Sequence, residues 1–399
     1  MSRDRLVRAL FVGGPMYDRL YERIPAFERA TGLRVEIIDR LPHPELNARV
    51  RREFEAGAPD IDLLSTHTKY APSQAEWLSP LDDVPLAELD DFLPKPLELA
   101  RIDGSLLQIP RNIDVRLLYY RRDLLHDRAP DTWDELVETA TAATRPGVHG
   151  FLFPGRDSGL FGTFYEMLVS AGGALFDEAL RPAFASDAGV WAADRLTELH
   201  LRRRVTPREL PHWHYDEVSA AFRRGESAMV CDWPGSHHLY ISSSTSAVAD
   251  RTALAPLPKG PSGRRAAYAG CHSFAIPRTA RNRQGAAELL RDLTSTPAQL
   301  DEARGGAIPV RATALARIQA EAAASPVEAR RWNLLAEMQA VMIMPPRFPE
   351  YPACEDALWR AVQQAIEGLI TPQHAVAEAS REIAALLGAA KRSLPLISS

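Results

Sequence analysis

The stretch Gly225–Gly235, GESAMVCDWPG, places an indole ring beside a carboxylate at the end of a short apolar run. Met229, Val230 and Cys231 read as a buried strand, with Asp232, Trp233 and Pro234 at its exit. In open α/β sheets the loops leaving strand ends hold ligands. A flat aromatic face covers the C–H groups of a sugar ring, and a carboxylate accepts from its hydroxyls with charge-assisted strength. The same residues also suit a buried tryptophan and a helix-capping aspartate. A second acid, Asp114, lies with Arg111 and Asn112 between the two apolar halves of Leu106–Leu125, LLQIPRNIDVRLLYYRRDLL. It either grips hydroxyls or pairs with Arg111 or Arg116. Gly13-Gly14-Pro15-Met16-Tyr17 follows the first apolar run, where Gly14 would let a ligand approach the backbone and Tyr17 would stand beside it. A plain helix-start turn reads the same way. In Ser65–Tyr70, STHTKY, every side chain can hydrogen-bond, so Thr66, His67 and Thr68 are candidates, although a surface loop has the same look. Asp157 and Ser158 fall in the glycine-bearing run Gly155–Gly162 and join them.

Other chemistries find less support. His212-x-His214 and His237-His238 are the close histidine pairs, and neither has a helical partner four residues on or a cysteine pair, so no metal is expected. No nucleophile elbow, phosphate loop or dinucleotide fingerprint occurs in context, and no cofactor is expected. Carboxylates are numerous enough to imitate a glycosidase pair. An enzyme using Asp114, Asp157 or Asp232 as acid and base therefore stands as the alternative to a non-catalytic binding protein. Cys231, Cys271 and Cys354 are far apart and odd in number. Cys231 reads as a buried free thiol, with a Cys231–Cys271 bridge as the alternative.

At 399 residues the chain exceeds one simple core, and two lobes are expected. Composition is that of an ordinary globular protein, 46% hydrophobic and 25% charged. The net charge of −5 and the lack of a long basic run argue against a nucleic-acid partner. No apolar stretch approaches the ~18 residues of a membrane helix. Ser2–Arg8 is charged and Leu10–Gly14 turns into a loop, so a signal segment is expected to be absent from this chain. A mature form, an upstream start and a cytoplasmic protein all fit.

The elements that must position these residues begin with alternating β and α units. Val7–Val12, Val35–Ile38 and Ile61–Leu64 read as strands. Tyr17, Leu20, Tyr21, Ile24 and Phe27 recur at helical spacing up to Thr31-Gly32, and Leu46–Ala56 is helical. This order argues for a parallel sheet with its loops at one edge. Leu106–Leu125 reads as a crossing between lobes and Tyr268–Pro277 as a return crossing. Thr132 and Glu135 form a capping box that opens a helix at Trp133. Gly150–Phe153 is a strand, Gly155–Gly162 a loop, and Phe164–Ser170, Ala188–Leu201, Asp216–Arg224, Gln284–Leu293 and Ala312–Ala324 are helices. Asp356–Leu387 holds two helices, the second started by Thr371-Pro372.

Several motifs, in order, resemble the family 1 extracellular solute-binding proteins, the maltose-binding-like receptors of ABC importers. Phe27–Gly32 is similar to that family's F-E-x-x-T-G, Pro59-Asp60-Ile61 to P-D-[IV], and Trp77–Asp82 to G-x-L-x-P-L-D with Trp77 departing. Ile109-Pro110 and Leu118–Leu125 resemble I-P and L-Y-Y-N-x-D-L-L, with Arg121 in place of Asn. Pro130–Leu136, Gly225–Met229 and Gly368–Ala375 match P-x-T-W-[DE]-E-L, G-[KE]-x-A-M and G-x-x-T-P-x-x-A. The resemblance implies an α/β, two-lobed, periplasmic-binding-protein-like fold, each lobe a central sheet flanked by helices, joined by a multi-segment hinge. It implies lobes of 1–112 plus 269–318 and 113–268 plus 319–399, with the ligand cleft between them. The implied function is capture of a small polar solute, a sugar or polyol first, for delivery to the membrane subunits of an ABC permease. It implies an extracytoplasmic monomer. It puts Thr66–Thr68 and Asp114 at the cleft, adds Cys271 and His272 beside Gly270, and adds Arg347 and Tyr351 on the second lobe's wall.

Overall fold

The computed structural model describes residues 5–57, 59–82, 84 and 88–393; the extreme ends of the expected lobes, 1–4 and 394–399, lie outside the described residues. Three strands come first: β1 (Leu6–Val12), β2 (Arg34–Leu41) and β3 (Leu63–His67). They pair in parallel, joined by the helices Ile24–Thr31 and His43–Glu55. Tyr17–Phe27 is not one helix. A turn of helix, Asp18–Tyr21, ends before Ile24, because Pro25 belongs in the first turn of a new helix. The third strand is shifted from its expected position. Asp62 delays its start: one carboxylate oxygen accepts from Arg8 N and the other from Arg281 N and Asn282 N. At the far end Ser65, Thr66 and His67 are strand rather than loop, because a later strand pairs with them.

The remaining strands are β4 (Arg101–Ile102), β5 (Ser105–Leu106), β6 (Ile109–Val115), β7 (Leu117–Arg121), β8 (His149–Leu152), β9 (Ser227–Asp232), β10 (Thr252–Ala255), β11 (Ala267–Ala275), β12 (Ile308–Pro309) and β13 (Met342–Ile343). One sheet has the order β12-β6-β11-β3-β1-β2, with β13 beside β11. Its β11 runs antiparallel to both β3 and β6, so the sheet is mixed rather than parallel throughout. The other sheet is β10-β7-β9-β8. Both are buried between helices, as α/β layers require. The chain changes sheet at Arg116, between β6 and β7, within the expected crossing.

Arg116 is fully buried at this crossing. Its guanidinium donates to Thr163 Oγ1 and lies 3.3 Å from Glu166 Oε2. Glu166 Oε1 accepts from Tyr268 N on β11. Thr163 and Glu166 sit on the helix Asp157–Ser170. The expected glycine loop is therefore helix from Asp157 onward. Gly159 and Gly162 serve close packing, not turning: a Cβ at Gly162 would stand 2.6 Å from the Tyr268 ring and 2.9 Å from Arg116 Nη1. The Thr132 cap forms as expected, accepting from Glu135 N, but the Glu135 carboxylate reaches Asp131 N instead of closing the box.

Candidate functional site

A cavity of about 320 Å³ opens where the two sheets face each other. Its walls come from the loop after β1, the start of the helix His43–Glu55, the ends of β3 and β6, the helix Tyr215–Arg223, the exit of β9 and one face of β11. Of the residues singled out in the sequence, Gly14, Tyr17, His67, Asp114, Ser158, Asp232, Trp233 and His272 line it. Trp233 is half-buried, with its ring centroid 5.8 Å from Tyr215 and 5.5 Å from Tyr268. Tyr17 stands edge-on to His272 at 5.1 Å. The cavity is thus an aromatic chamber with three acids on its wall, Asp114, Asp232 and Asp216, the last not foreseen in the sequence.

Asp114 pairs with neither arginine. Its Oδ2 accepts from Asn112 Nδ2 at 3.0 Å and lies 3.2 Å from His272 Nε2, while Oδ1 has no protein partner. Burial raises its pKa to about 7, against the opposing pull of Arg111 and Asn112. Asp232 accepts from Tyr240 OH through Oδ2 and leaves Oδ1 free. Burial lifts it to about 6. His272 is held down to about 3, because burial and then Arg111 and Lys69 outweigh its contact with Asp114. Burial, followed by His272, also keeps His43 and His67 well below the ordinary histidine value.

Other candidates fall behind the wall or away from it. Arg111 is buried against Glu302 (2.5 Å) and donates to Tyr21 OH and Tyr17 O, so it holds the first loop from beneath. Thr66 donates to Gln74 on the opposite face of β3 from His67. Thr68 is buried, its N–H bonded to Cys271 O. Cys271 alternates with the cavity-facing Gly270 and His272, so its thiol points away and accounts for no contact there. Cys231, Cys271 and Cys354 are all free and buried, and no Cys231–Cys271 bridge forms. Asp157 pairs with Arg156 and lines a neighbouring pocket of about 260 Å³ that shares Ser158. Arg347 donates to Arg101 O, and Tyr351 is buried in the core, its ring 6.2 Å from Phe161. Asn112 donates to Asp114 from behind the wall, and neither it nor the other seven candidates, Thr66, Thr68, Arg111, Asp157, Cys271, Arg347 and Tyr351, lines the aromatic cavity.

Sequence reading missed His43, Lys69, His214, Tyr215 and Tyr268, all of which do. Tyr268 had a signal: Tyr268, Gly270 and His272 alternate along one strand face. Gly270 is there for closeness, since a Cβ would come 2.2 Å from His67 Nε2. Lys69 spans the gap from β3 to the helix Tyr351–Ile366, where its ammonium meets Glu355 at 2.5 Å, both side chains buried.

Comparison with known proteins agrees with this geometry. The family described as bacterial extracellular solute-binding protein matches residues 22–327. A probable amino-acid ABC transporter periplasmic-binding protein of Sinorhizobium fredii is 25% identical over 387 residues, spanning 93% of this chain and 87% of its own length. A mannitol-binding protein of Pseudomonas aeruginosa is 29% identical over 224 residues, 53% of this chain and 50% of its own. Among solved structures, maltose-bound MalE3 of T. maritima has 29% sequence identity and a TM-score of 0.88, covering 96% of this chain and 99% of its own. The two-lobed fold of such receptors is the fold seen here.

Proposed function

The chain belongs to the bacterial extracellular solute-binding proteins, and from that premise we propose that it captures a small neutral sugar or polyol in its aromatic cavity for an ABC permease. The observation that carries the reading is the chamber itself. Tyr17, Tyr215, Trp233 and Tyr268 surround it, and Asp114 and Asp232 each keep one free carboxylate oxygen. Rings cover C–H faces and carboxylates accept from hydroxyls. The names of two relatives, a mannitol-binding protein and a maltose-bound receptor, support the same solute class. Of the cations that line the chamber, Lys69 is matched by Glu355 and Arg223 donates to Thr245 O.

We divide the chain into lobes 1–112 plus 269–318 and 113–268 plus 319–399, closing by hinge motion over the solute. The protein works as a monomer outside the cytoplasmic membrane, in line with the extracellular family and with the absence of a membrane-length apolar helix among the described residues. It turns nothing over. Of the three acids named for an enzyme, Asp157 lies in the neighbouring pocket on Arg156 and Asp232 is tied to Tyr240, which leaves Asp114 with Asp216 on the cavity wall. Mass spectrometry of compound carried through purification should find a neutral polyhydroxylated molecule. Adding it at a hundredfold excess over Kd should stabilise the fold by about 2.7 kcal/mol with the compound recovered intact. Recovery of a cleaved or isomerised product would overturn the reading.

A further inference from the structure

Three buried side chains on the cavity wall form a continuous hydrogen-bonded line. His272 Nε2 lies 3.2 Å from Asp114 Oδ2, and His272 Nδ1 lies 3.1 Å from His43 Nε2. A neutral imidazole carries one N–H and one lone pair, so each ring must donate at one end and accept at the other. Above its pKa of about 7 the Asp114 carboxylate is ionised and only accepts. The hydrogen between Asp114 and His272 therefore sits on His272 Nε2, which makes His272 Nδ1 an acceptor. His43 Nε2 must then carry the next hydrogen, and His43 Nδ1 is left bare. The two loose ends of the line, Asp114 Oδ1 and His43 Nδ1, are buried and have no protein partner. Both are acceptors.

We propose that the Asp114–His272–His43 line is the specificity element of the cavity: with Asp114 ionised both of its free ends accept, so the line takes hydroxyl or ammonium donors and disfavours carboxylates and phosphates. The inference rests on the reading of the cavity as the solute site. The surrounding groups keep the line in this state. From β3, His67 accepts from Lys69 N at 3.3 Å, so its own N–H is on Nε2, against Gly270. Lys69 meets Glu355 and Arg111 meets Glu302, so neither cation is free to protonate or reverse the line. Asn112 donates to the Asp114 oxygen that His272 also uses. Tyr17, Tyr70 and His214 face the two rings from the first loop, the loop after β3 and the helix Tyr215–Arg223. The two tyrosines lie above their ordinary pKa and His214 lies near 4, all through burial, so none carries charge at neutral pH. Burial likewise keeps His43 and His272 neutral.

Two measurements on the full chain test this. Nitrogen-15 shifts of the imidazoles at a pH well above 7, where Asp114 is ionised, should show hydrogen on Nε2 and a bare Nδ1 for both His43 and His272; hydrogen on His43 Nδ1 there would overturn the proposal. Calorimetric titration with D-mannitol and D-gluconate, equal in carbon number but differing by one carboxylate, should favour mannitol by tenfold or more. The His43→Gln variant, which presents an amide donor, should narrow that ratio several-fold while its melting point stays near that of the parent. Equal affinity for the two compounds, or an unchanged ratio in a folded His43→Gln protein, would also overturn it. If neither compound binds, the functional reading fails for hexitols and the nitrogen shifts alone decide the polarity of the line.

Discussion

Trp233 and Asp114 are the two side chains on which solute capture should depend most. Trp233 is half-buried and touches Tyr215 and Tyr268 within the chamber, so its removal takes away contact area more than core. Trp233→Ala should cost about 1–4 kcal/mol of binding and much less of folding, read by titration calorimetry beside a denaturant curve. A variant that unfolds while its folded fraction binds normally would mark Trp233 as core. Asp114 carries an opposite pair of pH effects. Its pKa in the folded chain is raised to about 7 from an ordinary 3.8, so the folded state holds the proton more tightly than the unfolded one. Stability from this group is full at low pH and is lost as pH rises from about 4 to 7. Binding that needs the ionised form runs the other way and strengthens as pH rises through about 7. Asp114→Asn should weaken binding tenfold or more and flatten both profiles; a variant with parental affinity would remove Asp114 from the site. Both residues were legible in the sequence because each stands as a polar break at the end of an apolar run. His43 and Lys69 were not, because their role depends on what faces them across 200 or more residues.

At the scale of elements, the crossing from β6 to β7 hangs on one buried charge. Arg116 is matched by Glu166 from the helix Asp157–Ser170, and Glu166 in turn accepts from the backbone of β11. The pair thus fastens two of the strands that pass between sheets to one helix. Arg116→Met strands Glu166 in the core and should cost about 3–5 kcal/mol, while adding Glu166→Gln should restore part of it; both are read from urea midpoints. A double variant no more stable than the single would show that Arg116 acts through packing instead. The alternation of β and α units was plain in the apolar periodicity, and the first crossing showed as a polar break between apolar runs, whereas the return lies between Ala255 and Ala267 and Tyr268–Pro277 is largely β11 itself. The displaced edges had specific causes. Asp62 delays the start of β3, and Gly159 and Gly162 imitate a loop while serving helix contact. The helices Thr296–Gly305 and Pro326–Ala340 escaped notice although Ser295 and Ser325 cap them with proline in the first turn, the same signal used at Thr371-Pro372.

For the molecule as a whole, Lys69 and Glu355 tie β3's end to the helix Tyr351–Ile366 across the cavity's edge. Under the lobe division proposed above this pair would join one lobe to the other, and an ion pair made only in the closed state favours closure by its own free energy. The double change Lys69→Met with Glu355→Gln removes it without leaving a lone buried charge. X-ray scattering should then show a larger radius of gyration for the solute-free variant, falling to the parental value on saturation; identical solute-free radii would deny the pair this role. The placement of β11 has a different kind of consequence, one measured in time. It sits between β3 and β6 in the first sheet, yet Ala267–Ala275 lies about 150 residues after Val115. A ribosome adding roughly 5–20 residues per second leaves the inner edges of β3 and β6 without their neighbour for on the order of 10–30 s. Such long-range pairing also slows refolding of the free chain. Throughout that interval the leading quarter of the protein has no complete first sheet to fold into.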